Sequence, residues 1–74
     1  MILSLDSLKF IISRLVSNAN DAVQEARADR KDLFAAGKSL AYYEMLDVIQ
    51  TELDVREQDL KEFGLNVDLL KDFV

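Results

Sequence analysis

The chain of 74 residues contains no cysteine, no histidine and no proline. Without cysteine it forms no disulfide and no thiolate metal site, and without histidine it lacks the commonest metal ligand and general base. Nucleophilic sites of the Ser/His/Asp and Cys/His types are therefore excluded from this chain. Because so short a chain seldom buries enough apolar surface to fold alone, we expect oligomerisation to supply the missing stability.

Glycine is also scarce, since only Gly37 and Gly64 are present. The sequence has no run of alternating apolar and polar residues and no Asn-Gly or Asp-Gly hairpin turn, so it contains no strand signal. These features predict a single all-α domain over residues 1–74. We expect a helical hairpin with short C-terminal helices, assembled as a homo-oligomeric helical bundle.

The net charge of −5 is unevenly distributed. Residues 1–43 carry six basic and five acidic side chains, whereas residues 44–74 carry three basic and nine acidic ones. Because phosphates repel such a chain, we expect no nucleic-acid partner. No uncharged apolar run approaches the ~20 residues that span a bilayer, and the first residues do not resemble a secretory signal, so we expect no membrane partner and a cytoplasmic location.

The first helix is predicted at about residues 5–28. Ser4 is a suitable N-cap, and an apolar seam follows at alternating spacings of three and four until it fails at Asp29. The seam comprises Leu5, Leu8, Ile12, Leu15, Ala19, Ala22 and Ala26. We therefore expect a turn between Ala28 and Asp32. The alternative ends this helix later, with Gly37 as its left-handed terminal residue.

The second helix, at about residues 33–53, carries two apolar stripes at helical spacing. The first stripe comprises Ala35, Tyr42, Leu46, Ile49 and Leu53, and the second comprises Phe34, Ala41, Met45 and Val48. A helix with two stripes needs cover on both sides, so we expect it to lie between its own chain and a second copy. The predicted oligomer interface comprises Phe34, Ala41, Met45 and Val48 with Ile11, Val16 and Val23 from the first helix. A twofold dimer is the expected assembly. The rival explanation is that the C-terminal segment covers these positions.

Two short C-terminal helices are predicted, at about residues 55–63 and 67–73. A break near Asp54 is indicated because Asp54 and Glu57 have the spacing of a capping box. Gly64 fits the left-handed residue of a Schellman motif, with Leu60 and Leu65 placed for its hydrophobic contact. Asn66 is the expected cap of the last helix.

One segment carries a resemblance to known proteins. The pattern Phe34-x-x-Gly37-Lys38-x-x-Ala41-Tyr42-Tyr43-Glu44, followed by Glu62-Phe63-Gly64-Leu65, resembles a group of small uncharacterised bacterial helical proteins. The likeness covers roughly residues 32–66 and implies a bacterial helical hairpin with Gly37 inside the second helix. No activity is established for that group, so the resemblance transfers no site.

Two pairs of carboxylates are the sharpest candidates for chemistry. Asp29 and Asp32, and likewise Glu44 and Asp47, stand three residues apart and share a helix face, and four such oxygens suit Mg²⁺. The pattern is similar to the paired acids of all-α nucleoside triphosphate pyrophosphatases. It departs from them because the first pair is Asp-x-x-Asp at a predicted turn and the chain is short for that fold. We expect solvated helix faces instead.

The basic residues Arg27, Arg30, Lys31 and Lys38 are expected to form a solvated loop interleaved with acids. Tyr42 is expected in the core, and Tyr43 at an interface or exposed. No catalytic, cofactor-binding or metal residue is assigned, and no cofactor is expected. The sequence favours a non-enzymatic helical protein that associates with itself and binds another protein. The alternatives are a Mg-dependent nucleotide hydrolase-like site and a small regulatory protein of the antitoxin type.

Overall fold

The computed structural model describes residues 3–73, which form two long helices and two short ones. Helix α1 spans Leu5–Ala28, α2 spans Leu33–Val55, a 3₁₀ helix spans Leu60–Phe63, and α3 spans Leu69–Asp72. No strand occurs within these residues. The long helices pack against each other as a hairpin, so the predicted all-α helical hairpin with short C-terminal elements is confirmed.

Helix α1 begins and ends where the sequence predicts. The Ser4 side chain accepts a hydrogen bond from the backbone N–H of Ser7 at 3.1 Å, which caps the first turn. The helix stops at Ala28, and the Asp29 carboxylate then accepts the backbone N–H of Lys31 at 3.1 Å. This local bond stabilises a turn where the apolar seam has already been lost.

Helix α2 is capped by Asp32, whose carboxylate accepts the backbone N–H of Ala35 at 3.1 Å. Gly37 lies within α2 and does not end α1, so the earlier turn is the correct alternative. The two aspartates of the first carboxylate pair therefore both serve the turn: Asp29 closes it and Asp32 starts the next helix.

Small residues bring the two helices together at the turn end of the hairpin. Ala19 and Ala22 of α1 are buried, as are Ala35 and Ser39 of α2. Side chains of this size let two helix backbones approach closely. The other end of the hairpin lacks such small residues and contains larger core side chains such as Leu46, so it needs additional cover.

That cover is the C-terminal segment, residues 60–73, which folds back across the hairpin. Its buried side chains join one cluster with residues of both long helices. The cluster comprises Ile12, Ala19, Val23, Leu46, Phe63, Leu65, Leu69 and Phe73. Leu46 and Leu65 are its largest fully buried members. The segment thus completes the core of a hairpin that would otherwise be open on this side.

The break after the second helix falls about two residues later than its predicted position near Asp54. Helix α2 continues to Val55 and ends in a Schellman motif, in which the backbone N–H of Gln58 bonds to the carbonyl of Leu53 at 2.9 Å. The left-handed residue of this motif is Glu57, with φ of 57°. The sequence has no glycine at this position, so the usual sequence signal for the end of α2 is absent. Asp59, not Asp54, caps the following helix.

The predicted Schellman motif at Gly64 is confirmed. The backbone N–H of Leu65 bonds to the carbonyl of Leu60 at 2.9 Å, that of Gly64 bonds to the carbonyl of Lys61 at 3.2 Å, and Gly64 has φ of 71°. The helix that it ends is shorter than predicted, since only Leu60–Phe63 is helical. The last helix is capped by Asp68, not by Asn66.

We predict that Gly64→Ala lowers the free energy of unfolding by about 1 kcal/mol, because its left-handed backbone disfavours a Cβ. No heavy atom lies within 4 Å of an added Cβ, so the cost arises from the backbone alone. Gly37→Ala is the matched control: it lies inside a helix with equally open space and should raise stability by up to about 1 kcal/mol. Urea unfolding measures both, and a neutral Gly64→Ala contradicts the assignment.

We predict the opposite sign at Glu57. Glu57→Gly should stabilise the protein by up to about 1 kcal/mol, because glycine adopts the left-handed conformation without the strain of a Cβ. Gln58→Gly, one residue further, has no positive φ to relieve and should lower stability. Thermal unfolding of the two variants distinguishes them. A loss of stability on Glu57→Gly would show that the Schellman motif does not form there.

Candidate interaction surface

The C-terminal segment lies on one side of the hairpin only. Lys9 of α1 pairs with Glu62 of the segment at 3.3 Å, and its ammonium lies 5.9 Å from the ring centre of Phe63. Gln50 of α2 donates two hydrogen bonds to backbone carbonyls of the same segment. Lys9 and Gln50 therefore mark the covered side of each long helix.

The opposite side of the hairpin carries exposed apolar residues of both long helices, and the described C-terminal segment does not cover it. Ile11 stands two residues from Lys9 on α1, and Val48 stands two residues from Gln50 on α2. Two residues correspond to about 200° around a helix, so Ile11 and Val48 point away from the C-terminal segment. A groove between the helices is lined by Ile11 and Leu15 from α1 and by Val48 and Ile49 from α2. The stripe of α2 continues from this groove toward the turn. We call this surface the open face, and it comprises Ile11, Phe34, Ala41, Met45 and Val48.

All five residues of the open face are exposed. The exposed fraction is 77% for Phe34, 61% for Val48, 46% for Ile11 and 44% for Met45. Other exposed apolar residues, such as Phe10 and Leu70, stand apart from this stripe. Isolated apolar residues are ordinary at protein surfaces, whereas a continuous apolar stripe indicates an interaction surface.

Two residues predicted at the oligomer interface do not lie on the open face. Val23 is buried in the core, and Val16 is half-buried and packs against it. Val16 lines a cleft together with Gly64 and Val67 of the C-terminal segment. The placement of Val16 and Val23 at an interface is therefore wrong, because the C-terminal segment covers that side of α1. The rival explanation, that the C-terminal segment covers the predicted interface positions, holds for Val16 and Val23 and not for the other five residues.

Charged pairs flank the open face at both ends. Lys38 donates to Glu25 at 2.8 Å near the turn, and Arg56 pairs with Glu52 at the far end of α2. The hydrogen bond to Glu25 raises the pKa of Lys38 above its ordinary value. Its contribution to stability is therefore present below the unfolded-state pKa of lysine and is lost only as pH rises through the folded-state value.

The predicted carboxylate pairs do not form one site. Asp29 and Asp32 bond to backbone N–H groups in the turn. Glu44 and Asp47 are exposed on α2, with Glu44 twelve residues beyond Asp32, or about 18 Å along the helix. Within residues 3–73, no group of three or more acidic side chains is placed to hold a metal ion. Glu44 and Asp47 thus lie on an exposed helix face as expected, whereas Asp29 and Asp32 lie in the turn and not on a helix face.

The basic residues near the turn are separated by the fold. Lys38 is engaged with Glu25 between the helices, while Arg27 and Arg30 line a cleft with Phe73 on another side. Arg27 also donates to the backbone carbonyl of Lys71 at 3.3 Å. Lys38 and the two arginines therefore lie on different sides of the hairpin. Both tyrosines are half-buried against the core, whereas the sequence predicts Tyr43 at an interface or exposed.

Sequence reasoning missed the role of Gln50. Its amide nitrogen donates to the carbonyls of Leu65 at 2.9 Å and Val67 at 3.0 Å, so both N–H groups of one amide hold the returning segment. A glutamine two residues from Val48 gives no signal of this role, because its acceptors lie fifteen and seventeen residues away. Gln50 thereby fixes which side of the hairpin the segment covers.

Comparisons with protein-family models, with curated proteins and with solved structures find no match. Among residues 3–73, no helix has the length and apolar character needed to cross a bilayer.

We predict that Gln50→Ala lowers the free energy of unfolding by about 1–3 kcal/mol, because it leaves the carbonyls of Leu65 and Val67 without their donor. Thr51→Ala is the matched control, since Thr51 is the exposed neighbour and its change should stay within about 0.5 kcal/mol. Hydrogen exchange should also show earlier opening of residues 60–73 in Gln50→Ala. Equal stability of the two variants would contradict the stabilising role of the two Gln50 hydrogen bonds.

Proposed function

We propose that this chain is a binding protein whose first partner is a second copy of itself, held on the open face. The observation that supports this most directly is the exposure of Phe34, Met45 and Val48 along one stripe while the C-terminal segment is used on the other side. A soluble monomer seldom leaves so continuous an apolar surface in water.

The size of the open face suits a dimer. Helix α2 has 23 residues and is therefore about 35 Å long, and two packed helices present a face roughly 20 Å wide. The whole side of the hairpin that carries the open face thus has an outline of roughly 700 Å², close to the ~800 Å² that each partner buries in a standard interface. A twofold pairing of this face with itself satisfies both copies at once and leaves no apolar stripe to recruit further copies.

The chemistry of the interior also favours binding over catalysis. The buried side chains among residues 3–73 are apolar except for Ser39. Catalytic sites usually depend on ionisable groups that burial or close neighbours perturb. A core of this composition supports a scaffold that presents a surface. Another protein is the alternative occupant of the same face, and a small regulatory protein would use it in that way.

Sedimentation equilibrium at micromolar concentration tests self-association. We expect a species of twice the 8.4 kDa mass of one chain, because the open face buries its apolar stripe only by pairing. A well-folded species at the monomer mass would contradict the proposal. It would leave the open face to a different protein.

We predict that Met45→Glu weakens the dimer at least about tenfold, because it places a charge in the centre of the paired faces. Thr51→Glu is the matched control: it adds the same charge to the same helix at an exposed position off the stripe. Arg30→Glu, beyond the end of α1, is a second control. Analytical ultracentrifugation should show dissociation of Met45→Glu alone. Equal association of all three variants would contradict the placement of the interface.

A magnesium titration separates this proposal from the hydrolase-like alternative. A true Mg²⁺ site stabilises the fold by mass action, whereas a solvated acidic surface responds only to ionic strength. We expect MgCl₂ to raise the melting temperature no more than NaCl of equal ionic strength does. A saturable increase that is lost in Glu44→Gln would favour the metal site.

A further inference from the structure

The stripe of α2 on the open face has a regular register. Its positions follow spacings of four, three, four, three and four residues, which is the pattern of a packing seam between helices. The seam comprises Phe34, Lys38, Ala41, Met45, Val48 and Glu52. All six belong to one continuous helix, so their spacing along its axis is fixed.

The two charged residues of this seam are opposite in sign and equally distant from Met45. Lys38 and Glu52 each stand seven residues from Met45, or about 10 Å along the helix. An antiparallel pair of such helices, with its twofold axis at Met45, places Lys38 across from Glu52 of the partner subunit. A parallel pair instead places residues of the same number, and hence of the same charge, against each other.

We propose that two copies of this chain pair through antiparallel α2 helices, with the twofold axis at Met45 and Lys38 bound to Glu52 of the partner subunit. This arrangement rests on the self-association proposed above and adds its register. Two ion pairs form per dimer, one on each side of the axis. The apolar residues Ala41 and Val48 then lie between the axis and each ion pair.

The contacts that Lys38 and Glu52 make within one chain allow them to form the proposed ion pair between copies. Lys38 bonds to Glu25 at 2.8 Å and Glu52 pairs with Arg56, and all four side chains are partly exposed. Exposed pairs of this kind contribute little and are readily rearranged. A lysine ammonium has three donors, so Lys38 can keep Glu25 while it binds a second carboxylate. The Phe34 ring, 5.9 Å from the Lys38 ammonium, holds that side chain along the seam.

Single cysteines test the register cleanly, because the chain has no cysteine of its own. Under mild oxidation, Met45→Cys should form a disulfide-linked dimer, since the two copies of this residue meet at the axis. Lys38→Cys alone and Glu52→Cys alone should remain unlinked, because their copies lie about 20 Å apart across the axis. An equimolar mixture of Lys38→Cys and Glu52→Cys should link as a heterodimer.

The outcomes separate the register from self-association itself. A dimer in sedimentation whose Lys38→Cys links to its own copy is either parallel or has its axis near residue 38, and both overturn the proposal. A dimer in which none of these cysteines links has its axis elsewhere and also overturns it. A monomer in sedimentation, with no linkage in any variant, overturns the proposed self-association and the register together.

Charge exchange provides a second test that intrachain contacts cannot imitate. Lys38→Glu and Glu52→Lys should each raise the dimer dissociation constant about tenfold, because each places like charges together on both sides of the axis. The double variant should return to within about threefold of the original value, since opposite charges face each other again.

Within one chain the double variant has only repulsive neighbours, because position 38 then faces Glu25 with the same charge and position 52 faces Arg56 with the same charge. Rescue therefore arises only from contacts between copies. A double variant as weak as the single variants, while circular dichroism shows an intact fold, overturns the proposed ion pair.

Discussion

Burial of Leu46 and Leu65 in one cluster is the constraint on which the rest of the structure depends. Leu46 lies on α2 and Leu65 lies in the returning C-terminal segment, and both are fully buried. A two-helix hairpin has two open sides, and this chain has one short segment with which to cover them. Once that segment is committed to the Leu46 side, held by Gln50 and Lys9, the opposite side has no cover from residues 3–73.

This division of the hairpin explains which parts of the fold the sequence predicts. The end of α1 is encoded locally, because the seam fails at Asp29 and Asp32 caps the next helix within three residues. Gly64 is likewise a local signal, since a left-handed helix end favours glycine strongly. The second stripe of α2 is visible as periodicity alone, and its exposure in the structure agrees with that pattern.

The remaining features depend on contacts between residues far apart in sequence or on a locally unfavourable backbone conformation. Val16 and Val23 are apolar positions like Ile11, and only the path of the C-terminal segment decides that Val23 is buried and Val16 half-buried while Ile11 is exposed. The two hydrogen bonds of Gln50 connect elements that are far apart in sequence. Glu57 adopts a conformation that its side chain disfavours, because the packed elements on either side require the chain to reverse there. Propensity predicts none of these three.

In the proposed dimer, charge distinguishes a parallel from an antiparallel arrangement of the two α2 helices. Every copy brings a net charge of −5, so association works against electrostatic repulsion that the interface must offset. That charge is concentrated in residues 44–74, while residues 1–43 are close to neutral with a net of +1. Within α2, the part before Met45 carries Lys38 and Glu44, whereas the part after it carries Asp47, Glu52 and Asp54. Parallel helices would place the two acidic parts side by side, whereas antiparallel helices place each acidic part beside the neutral part of the other copy. The charge along α2 therefore favours the same direction as the pair of Lys38 and Glu52, and Asp47 and Asp54 add to that preference without depending on the register of the seam.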